Sequence, residues 1–245
     1  MKIALIGYGK MGKALQAAAE RKNHNVVCFI DSPQDWEKQC KPLGAIADVA
    51  IEFSTPESAV DNIKRCFNEH IPVVCGSTGW HHRMDEIKTC CKEKEGTLVW
   101  AANFSPGVNL FFLLNTWLAR QMDKFTQYDA SIEEIHHTEK RDKPSGTAIH
   151  LANQMIDKIT RLERWVKAEE AGEDLSEIPV FSERIKNVTG IHTVTYESDL
   201  DVIEIRHTAK NRAGFAFGAL IAAEWINNKQ KKGIFTMDDV LFNSF

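Results

Sequence analysis

KIALIGYGKMG, residues 2–12, decides the fold, because a continuous apolar run there leads directly into a G-x-G-x-x-G turn. The apolar run is typical of a buried parallel strand, and the helix-forming residues after the turn predict a helix. In such a turn Gly7 permits the tight bend, Gly9 lets the backbone approach a pyrophosphate, and Gly12 lets the helix pack against the strand. The stretch therefore predicts a dinucleotide-binding turn at the start of a βαβ unit.

The same alternation of strand and helix continues to about residue 106. Apolar runs that end in small polar residues predict further strands over 25–31, 47–54, 71–78 and 97–105, with helical segments between them. This pattern predicts an α/β domain, a Rossmann-type doubly wound parallel sheet with helices on both faces. Its ligand is expected at the carboxyl ends of the strands.

Candidate cofactor residues stand where these strands end. Asp31 lies 19 residues beyond Gly12, where a carboxylate can accept hydrogen bonds from both ribose hydroxyls and repel a 2′-phosphate. Lys10, in the glycine turn, could instead assist a 2′-phosphate, so NADH, NADPH or both are expected as cofactor. The full set of candidates is Gly7, Gly9, Lys10, Met11, Gly12, Asp31, Gly76, Ser77, Thr78, Ala101, Ala102, Asn103 and Phe104.

The pattern changes after Pro106, which indicates a second domain. A largely apolar helix is predicted over 107–125, period-two alternation predicts a strand over 128–137, and helical spacing resumes at Ser145. The charged segment 161–177 is interpreted as a helix end and a solvated loop. Two further strands and a long helix are predicted over 191–198, 202–209 and 214–229. We therefore expect a second α+β domain built on an open mixed sheet.

Composition excludes several classes of partner. The formal net charge of −4 gives no general electrostatic reason to bind nucleic acid or an anionic membrane. No segment is apolar for the ~18 residues that a membrane span requires, and the N-terminus lacks the pattern of a secretory signal. A cytoplasmic location is expected, with reduced cysteines. The cysteines are Cys28, Cys40, Cys66, Cys75, Cys90 and Cys91.

The run EIHHTEKRDKPSGTA, residues 134–148, is the second candidate site, and it is open to three interpretations: a solvated turn, a metal site or an active site. Glu134, His136 and His137 are residue types that bind zinc. However, neighbouring histidines at a strand end point to opposite faces, and no third soft ligand follows at a usual interval. We therefore expect no metal here.

The active-site interpretation accounts for more of these residues. Ser145, Gly146 and Thr147 open a predicted helix and offer a hydroxyl and free backbone N–H groups to an anion. Lys140 and the imidazoles of His136 and His137 would add positive charge, and Lys140 could donate a proton as a hydride arrives. The rest of the run is interpreted as solvated loop, namely Glu139, Arg141 and Lys143.

The run of residues 134–148 also resembles the sequence signature of a known family. The pattern E-x-H-H-x-x-K-x-D-x-P-S-G-T-A is similar to the signature of the 4-hydroxy-tetrahydrodipicolinate (dihydrodipicolinate) reductases of bacterial lysine biosynthesis, and residues 134–148 match it at ten fixed positions. The similarity extends to GSTGW (76–80), AANFSPGVN (101–109), HTAKNRAGFAFGA (207–219) and IFTMDDVL (234–241). It therefore spans nearly the whole chain.

The resemblance implies a reaction and roles for the residues. A nicotinamide would give hydride to a cyclic unsaturated dicarboxylate while Lys140 protonates the neighbouring carbon, assisted by His136. His137, Gly146 and Thr147 would hold the substrate carboxylates. Residues 76–78 and 101–104 would lie along the nicotinamide.

The resemblance also implies an assembly and a domain division. It implies a homotetramer joined through the sheets of the second domain, and a last helix that returns to the first domain. The expected domains are thus 1–106 plus 213–245 for the dinucleotide and 107–212 for substrate binding and oligomerisation. Two features depart from the family pattern: the glycine loop is shorter and carries Lys10, and the segment 164–194 is poor in glycine.

Two other functions use the same fold. One is a different two-domain NAD-dependent dehydrogenase acting on an amino or hydroxy acid, and the other is a non-catalytic NAD-sensing module. Fold alone does not separate them from the reductase. Lys140 followed by the Pro-Ser-Gly-Thr turn favours the reductase, since a sensor needs no proton donor.

Overall fold

The computed structural model describes residues 1–172, 174–211, 213–229 and 231–242. The chain divides into two compact units, one formed by 1–106 with 212–245 and the other by 107–211. Arg212, the expected last residue of the second domain, lies outside the described residues.

The elements of the described chain are numbered in chain order. The strands are β1 Lys2–Ile6, β2 Asn25–Ile30, β3 Val49–Glu52, β4 Val73–Cys75, β5 Thr97–Trp100, β6 Asp129–His136, β7 Arg164–Lys167, β8 Glu177–Arg184, β9 Gly190–Glu197, β10 Val202–Ala209 and β11 Gly233–Phe235. The helices are α1 Lys10–Arg21, α2 Pro33–Glu37, α3 Leu43–Ile46, α4 Pro56–Asn68, α5 Met84–Glu93, α6 Pro106–Met122, α7 Gly146–Lys158, α8 Ala213–Lys229 and α9 Met237–Leu241.

The first unit is a six-stranded parallel sheet in the order β11-β5-β4-β3-β1-β2. Successive residues of β1 alternate between two cores. Ala4 and Ile6 pack with α4 on one face, whereas Ile3 and Leu5 pack with α1 and α8 on the other. Because both faces are covered, the strands are apolar over most of their length. The predicted doubly wound parallel sheet is confirmed.

The second unit is a five-stranded mixed sheet in the order β10-β9-β6-β8-β7. Strand β6 runs antiparallel to β9 and parallel to β8, so it is the central strand. Its residues Ala130 and Ile132 face a core shared with Leu151 and Met155 of α7 and with α6. The predicted open mixed sheet with helices is confirmed.

The interpretation of 161–177 as a helix end and solvated loop is wrong over part of its length. Residues Arg164–Lys167 form β7, which pairs in parallel with β8, a strand that the sequence pattern did not predict either. Trp165 packs against the core of the sheet. The sequence did not indicate this strand because its charged residues give no apolar alternation and because its stabilising hydrogen bonds come from β8, outside the segment.

The described residues contain no helix long and apolar enough to cross a membrane.

Candidate active site

The glycine turn between β1 and α1 has one open side. Gly7 has a φ of +86°, and a Cβ there would overlap the carbonyl oxygen of Phe53. A Cβ on Gly12 would overlap the carbonyl oxygen of Gly7, whereas a Cβ on Gly9 would meet nothing within 4 Å. Gly7 and Gly12 are therefore required by the backbone, and the space at Gly9 is where a phosphate could approach the first N–H groups of α1. Lys10 and Met11 are the first two residues of that helix.

Asp31 follows β2 directly and holds the glycine turn. Its Oδ1 atom accepts a hydrogen bond from the Tyr8 backbone N–H at 2.6 Å, and the Tyr8 ring packs edge-on against Phe29. A second carboxylate lies beside it, because the backbone N–H of Asp31 donates to Oδ2 of Asp35 at 3.1 Å. The hydrogen bond from Ser32 is the main cause that lowers the pKa of Asp35. Two negative charges therefore stand at the carboxyl end of β2.

The segments after β4 and β5 contribute the other candidate cofactor residues. A Cβ on Gly76 would overlap the Phe53 ring, so glycine lets that ring pack against this segment. Ser77 is buried, and its Oγ atom has no hydrogen-bond partner within the described part of the chain. Asn103 accepts a hydrogen bond from the Ser105 N–H at 2.9 Å. Thr78, Ala101, Ala102 and Phe104 lie in the same two segments.

These observations fit a dinucleotide. The strands are parallel, so the ends of β1, β2, β4 and β5 lie along one edge of the sheet. The open space at Gly9 and the unsatisfied Ser77 hydroxyl are features that a bound phosphate and a bound polar group would use. Glu52, which no sequence pattern indicated, also lies at this edge; it is fully buried and accepts hydrogen bonds from Ser54 and Cys75.

The start of α7 offers an open helix end in the second unit. Ser145 is the N-cap, and its Oγ atom accepts a hydrogen bond from the Ala148 N–H at 3.2 Å. Gly146 and Thr147 are the first helical residues, and a Cβ on Gly146 would meet nothing within 4 Å. The N–H groups of Gly146 and Thr147, at the first two helical positions, are thus available to an anion.

Lys140 lies in the loop of residues 137–144, between the end of β6 and this helix. Its Nζ atom donates to both carboxylate oxygens of Asp142, at 2.8 and 2.7 Å. Burial by itself would raise the pKa of Asp142, but the hydrogen bond and the charge of Lys140 outweigh it and lower that pKa. The Lys140 side chain is 24% exposed, so its amine is positioned yet reachable. His137 is half-buried and opens the loop.

A buried polar network lies under this loop. Glu134, which is fully buried, accepts hydrogen bonds from the Ser145 N–H at 3.0 and 3.1 Å and from the Arg184 guanidinium at 3.2 Å. Its Oε2 atom is 3.5 Å from Nδ1 of His136 and 3.7 Å from Nε2 of His192. Burial would raise the pKa of Glu134, but the hydrogen bonds from Ser145 lower it. The network therefore has an ionised carboxylate at its centre.

The imidazole of His136 is not the main source of positive charge near neutral pH. Burial lowers its pKa, against the opposing effect of Glu134. Lys140 and Arg184 supply that charge instead. Arg184 and His192 were not among the residues predicted from the sequence, although the alternation in β9 places His192 on the buried face with Val194 and could have indicated it.

The three residues Glu134, His136 and His192 have potential metal-ligand atoms within 4.8 Å of one another. His192, rather than His137, completes this group. A cation here would lie next to the guanidinium of Arg184 and would compete for a carboxylate that already accepts hydrogen bonds from Ser145. We therefore assign no metal to it.

The protein is expected to lose stability as the pH falls below about 6.5, and His192 should contribute to the loss. Burial is the main cause that lowers the His192 pKa to about 3 from an ordinary value of 6.5. Between these values the unfolded chain binds a proton that the folded protein excludes. For one such group, the free energy of unfolding should thus fall by up to about 1.4 kcal/mol for each unit by which the pH is lowered.

Urea unfolding of His192→Asn and of the wild type, measured between about pH 4 and 7, tests this expectation. The variant should show a shallower dependence of the free energy of unfolding on pH. The exposed His70 provides the control, since His70→Asn should leave the slope unchanged. Equal slopes for His192→Asn and the wild type would contradict the expectation.

Two family models match this sequence, and together they cover most of it. The dihydrodipicolinate reductase N-terminus matches residues 1–104. The dihydrodipicolinate reductase C-terminus matches residues 107–241.

Curated relatives and solved structures agree with the family models. A 4-hydroxy-tetrahydrodipicolinate reductase from Christiangramia forsetii is 48% identical over 100% of this chain and 99% of its own. One from Bdellovibrio bacteriovorus is 35% identical over 99% of this chain and 96% of its own. A dipicolinate-bound dihydrodipicolinate reductase from Paenisporosarcina sp. TG-14 has the same fold, with a TM-score of 0.76 and 18% identity over 99% of both chains.

Proposed function

Because this chain belongs to the dihydrodipicolinate reductase family, we propose that Lys140 donates the proton in its reaction and that His136 assists. The chain is an NAD(P)H-dependent oxidoreductase of lysine and diaminopimelate biosynthesis. It reduces 4-hydroxy-tetrahydrodipicolinate to tetrahydrodipicolinate with loss of water. One observation carries the proposed role: the Lys140 amine is fixed by Asp142 in the loop between His136 and the open start of α7.

The cofactor supplies a hydride when it is bound. In this proposal Gly7, Gly9 and Gly12 let the backbone and the first turn of α1 hold the pyrophosphate, and Asp31 holds the adenosine ribose. The segments after β4 and β5 line the nicotinamide, with the Ser77 hydroxyl as a hydrogen-bonding group. Their residues are Gly76, Ser77, Thr78, Ala101, Ala102, Asn103 and Phe104, and Lys10 and Met11 complete the cofactor set.

The substrate carboxylates are held at the start of α7. Gly146 and Thr147 present N–H groups, and the Thr147 hydroxyl and His137 add further hydrogen-bonding groups. Ser145, expected from the sequence to contact the substrate, instead caps the turn, because its N–H donates to Glu134 and its Oγ atom accepts from the Ala148 N–H. The dipicolinate bound in the relative from Paenisporosarcina supports a small dicarboxylate as the ligand class. Lys140 then protonates the carbon next to the one that receives the hydride, which gives a reduced ring without leaving a carbanion. Such a proton donor is typically worth about 10² to 10⁴ in rate.

A coupled assay tests the function as a whole. NADH or NADPH oxidation is followed with the freshly made product of the preceding synthase, and dipicolinate is added as a competing analogue. We expect substrate-dependent oxidation that dipicolinate inhibits competitively. The absence of oxidation with either cofactor would favour a sensor, and oxidation with other amino or hydroxy acids alone would favour a different dehydrogenase.

We propose that the protein prefers NADH, and Asp31→Ser is expected to shift the preference towards NADPH. Like charges about 4 Å apart near a protein surface repel by ~1–4 kcal/mol, and the carboxylates of Asp31 and Asp35 would face a 2′-phosphate. The ratio of kcat/KM for NADPH to that for NADH should therefore rise by about tenfold or more. Steady-state kinetics with both cofactors measure it.

Asp48→Ser is the matched control for this substitution. Like Asp31, Asp48 accepts a hydrogen bond of 2.6 Å from a backbone N–H, but its donor is Lys2, at the opposite end of β1. Its substitution should leave the cofactor preference unchanged. An unaltered ratio in Asp31→Ser would remove Asp31 from cofactor selection.

We also propose a homotetramer in the cytoplasm. The face of the mixed sheet opposite α7 exposes apolar side chains, among them Phe181 and Val202, and a second sheet could cover them. All six cysteines are described and free, which supports a reducing compartment. Light scattering on the purified protein tests the assembly, and a monomer would contradict it.

A further inference from the structure

Two oppositely charged side chains meet beneath the loop 137–144. Glu134 is fully buried on β6, and the guanidinium of Arg184, the last residue of β8, lies 3.2 Å from its Oε1 atom. The parallel pairing of β6 with β8 places Arg184 opposite His136 and so brings the pair together. The Arg184 side chain is 17% exposed, but burying the Glu134 carboxylate costs several kcal/mol, and an apolar pair would often stabilise a fold as well. Stability alone therefore gives little reason for this pair.

The remaining hydrogen bonds of Arg184 go mostly to the loop that carries Lys140. Its Nε atom donates to the carbonyl oxygen of Lys140 at 3.2 Å, and a terminal nitrogen donates to the carbonyl oxygen of Asp142. The guanidinium thus holds the backbone at two positions, and the Asp142 carboxylate holds the Lys140 amine. A planar guanidinium has the fixed geometry that two such acceptors require.

Glu134 links Arg184 and the loop that it holds to the rest of the site. The same carboxylate accepts from the N–H of Ser145 at the start of α7 and lies 3.5 Å from the His136 imidazole. One buried anion therefore joins the Arg184 guanidinium, the assisting histidine and the helix end proposed to bind a carboxylate.

We infer that Arg184 is a positioning residue for the reduction: held by Glu134, it fixes the backbone of Lys140 and so aims the proton donor. This inference rests on the proposed role of Lys140. Arg184 acts through Lys140, and its guanidinium is already engaged with Glu134 and the loop carbonyls.

Arg184→Lys tests the inference because it keeps the positive charge and removes the planar guanidinium, whose fixed N–H groups bind the two loop carbonyls. A misplacement of about 1 Å can cost on the order of 10²-fold in rate. We expect kcat to fall by about 10- to 100-fold while the KM for NADH stays unchanged. The solvent deuterium isotope effect on kcat should rise, because proton transfer from a misplaced amine becomes the slow step. A purely structural defect would reduce the amount of active enzyme without raising that isotope effect.

Arg164→Lys is the matched control. Arg164 also pairs with a glutamate of the neighbouring strand in the same sheet, Glu177, but its side chain is 67% exposed. Its kcat, its KM for NADH and its solvent deuterium isotope effect should remain those of the wild type. If Arg184→Lys behaves like this control, the inference is overturned.

A double variant separates this inference from the proposed function. If Arg184 acts through Lys140, Lys140→Met with Arg184→Lys should be about as active as Lys140→Met alone. Losses that multiply would overturn the positioning role and leave Lys140 as proton donor. Full activity of Lys140→Met would contradict the proposed role of Lys140 as proton donor, and the inference about Arg184 would be contradicted with it.

A second variant covers the case in which Arg184→Lys does not fold. Glu134→Gln with Arg184→Gln removes the guanidinium without leaving an unpaired buried charge. Its kcat should again fall and its solvent isotope effect rise, and wild-type values of both would overturn the inference.

Discussion

Lys140→Met is expected to lower kcat by about 10² to 10⁴-fold, with cofactor binding nearly unchanged. Methionine keeps much of the side-chain volume but has no proton to donate to the carbon next to the hydride acceptor. The glycine turn of residues 7–12, which we propose binds the pyrophosphate, belongs to the other unit, so affinity for NADH should be retained. The measurements are single-turnover rates and NADH titration by fluorescence.

Lys143→Met is the matched control for this prediction. Lys143 lies in the same loop, is exposed, and was interpreted from the sequence as solvated. Its replacement should leave kcat within about twofold of the wild type, as is usual for surface positions. Equal losses in both variants would mean that the charge of the loop, rather than a proton from Lys140, carries the effect.

Gly218→Ala is expected to destabilise the first unit by ~3 kcal/mol or more, which is large for one methyl group. Gly218 is buried on α8, and an added Cβ would overlap the carbonyl oxygen of Phe104. A backbone carbonyl cannot rotate away as a flexible side chain could, so the helix or the segment after β5 must move. For a chain of this size the melting temperature should fall by about 6–12 °C.

Gly214→Ala is the control, one turn earlier on the same helix. The nearest atom to a Cβ on Gly214 is Oγ of Ser105, at an ordinary contact distance of 3.6 Å. Alanine is the better helix former by about 1 kcal/mol, so this variant should be as stable as the wild type or more so. Differential scanning fluorimetry on both variants makes the comparison. A melting temperature for Gly218→Ala equal to that of the wild type would show that the segment of Phe104 yields easily.

Much of the first unit was predictable because its signals are local. The strand, turn and helix of residues 2–21 can be read from neighbouring residues, since a glycine turn and an apolar run are set by the chain itself. The same holds for Ser145 as an N-cap. For each of these elements the residues that cause the structure are adjacent in sequence.

The sequence did not predict β7 and β8 of the second unit or β11 of the first, because another segment supplies the hydrogen bonds that stabilise each of them. Strand β7 is stabilised by its pairing with β8, and its charged residues give no alternation that would predict it. The short β11 joins the parallel sheet beside β5, more than a hundred residues away, and the sequence pattern did not indicate it. Such elements form where another strand supplies hydrogen bonds, and this information lies outside the segment.

The sequence by itself determined the glycine turn after β1, the two-part architecture and the run of residues 134–148 that carries the family signature. Only the tertiary structure decided what lies beneath that run. Arg184 and His192 reach Glu134 from β8 and β9, so their distance depends on strand register, which no local pattern contains. The tertiary structure also decides the charge of His136, because burial lowers the pKa of its imidazole. Local backbone geometry follows from adjacent residues, whereas burial and electrostatics follow from which distant segments pack together.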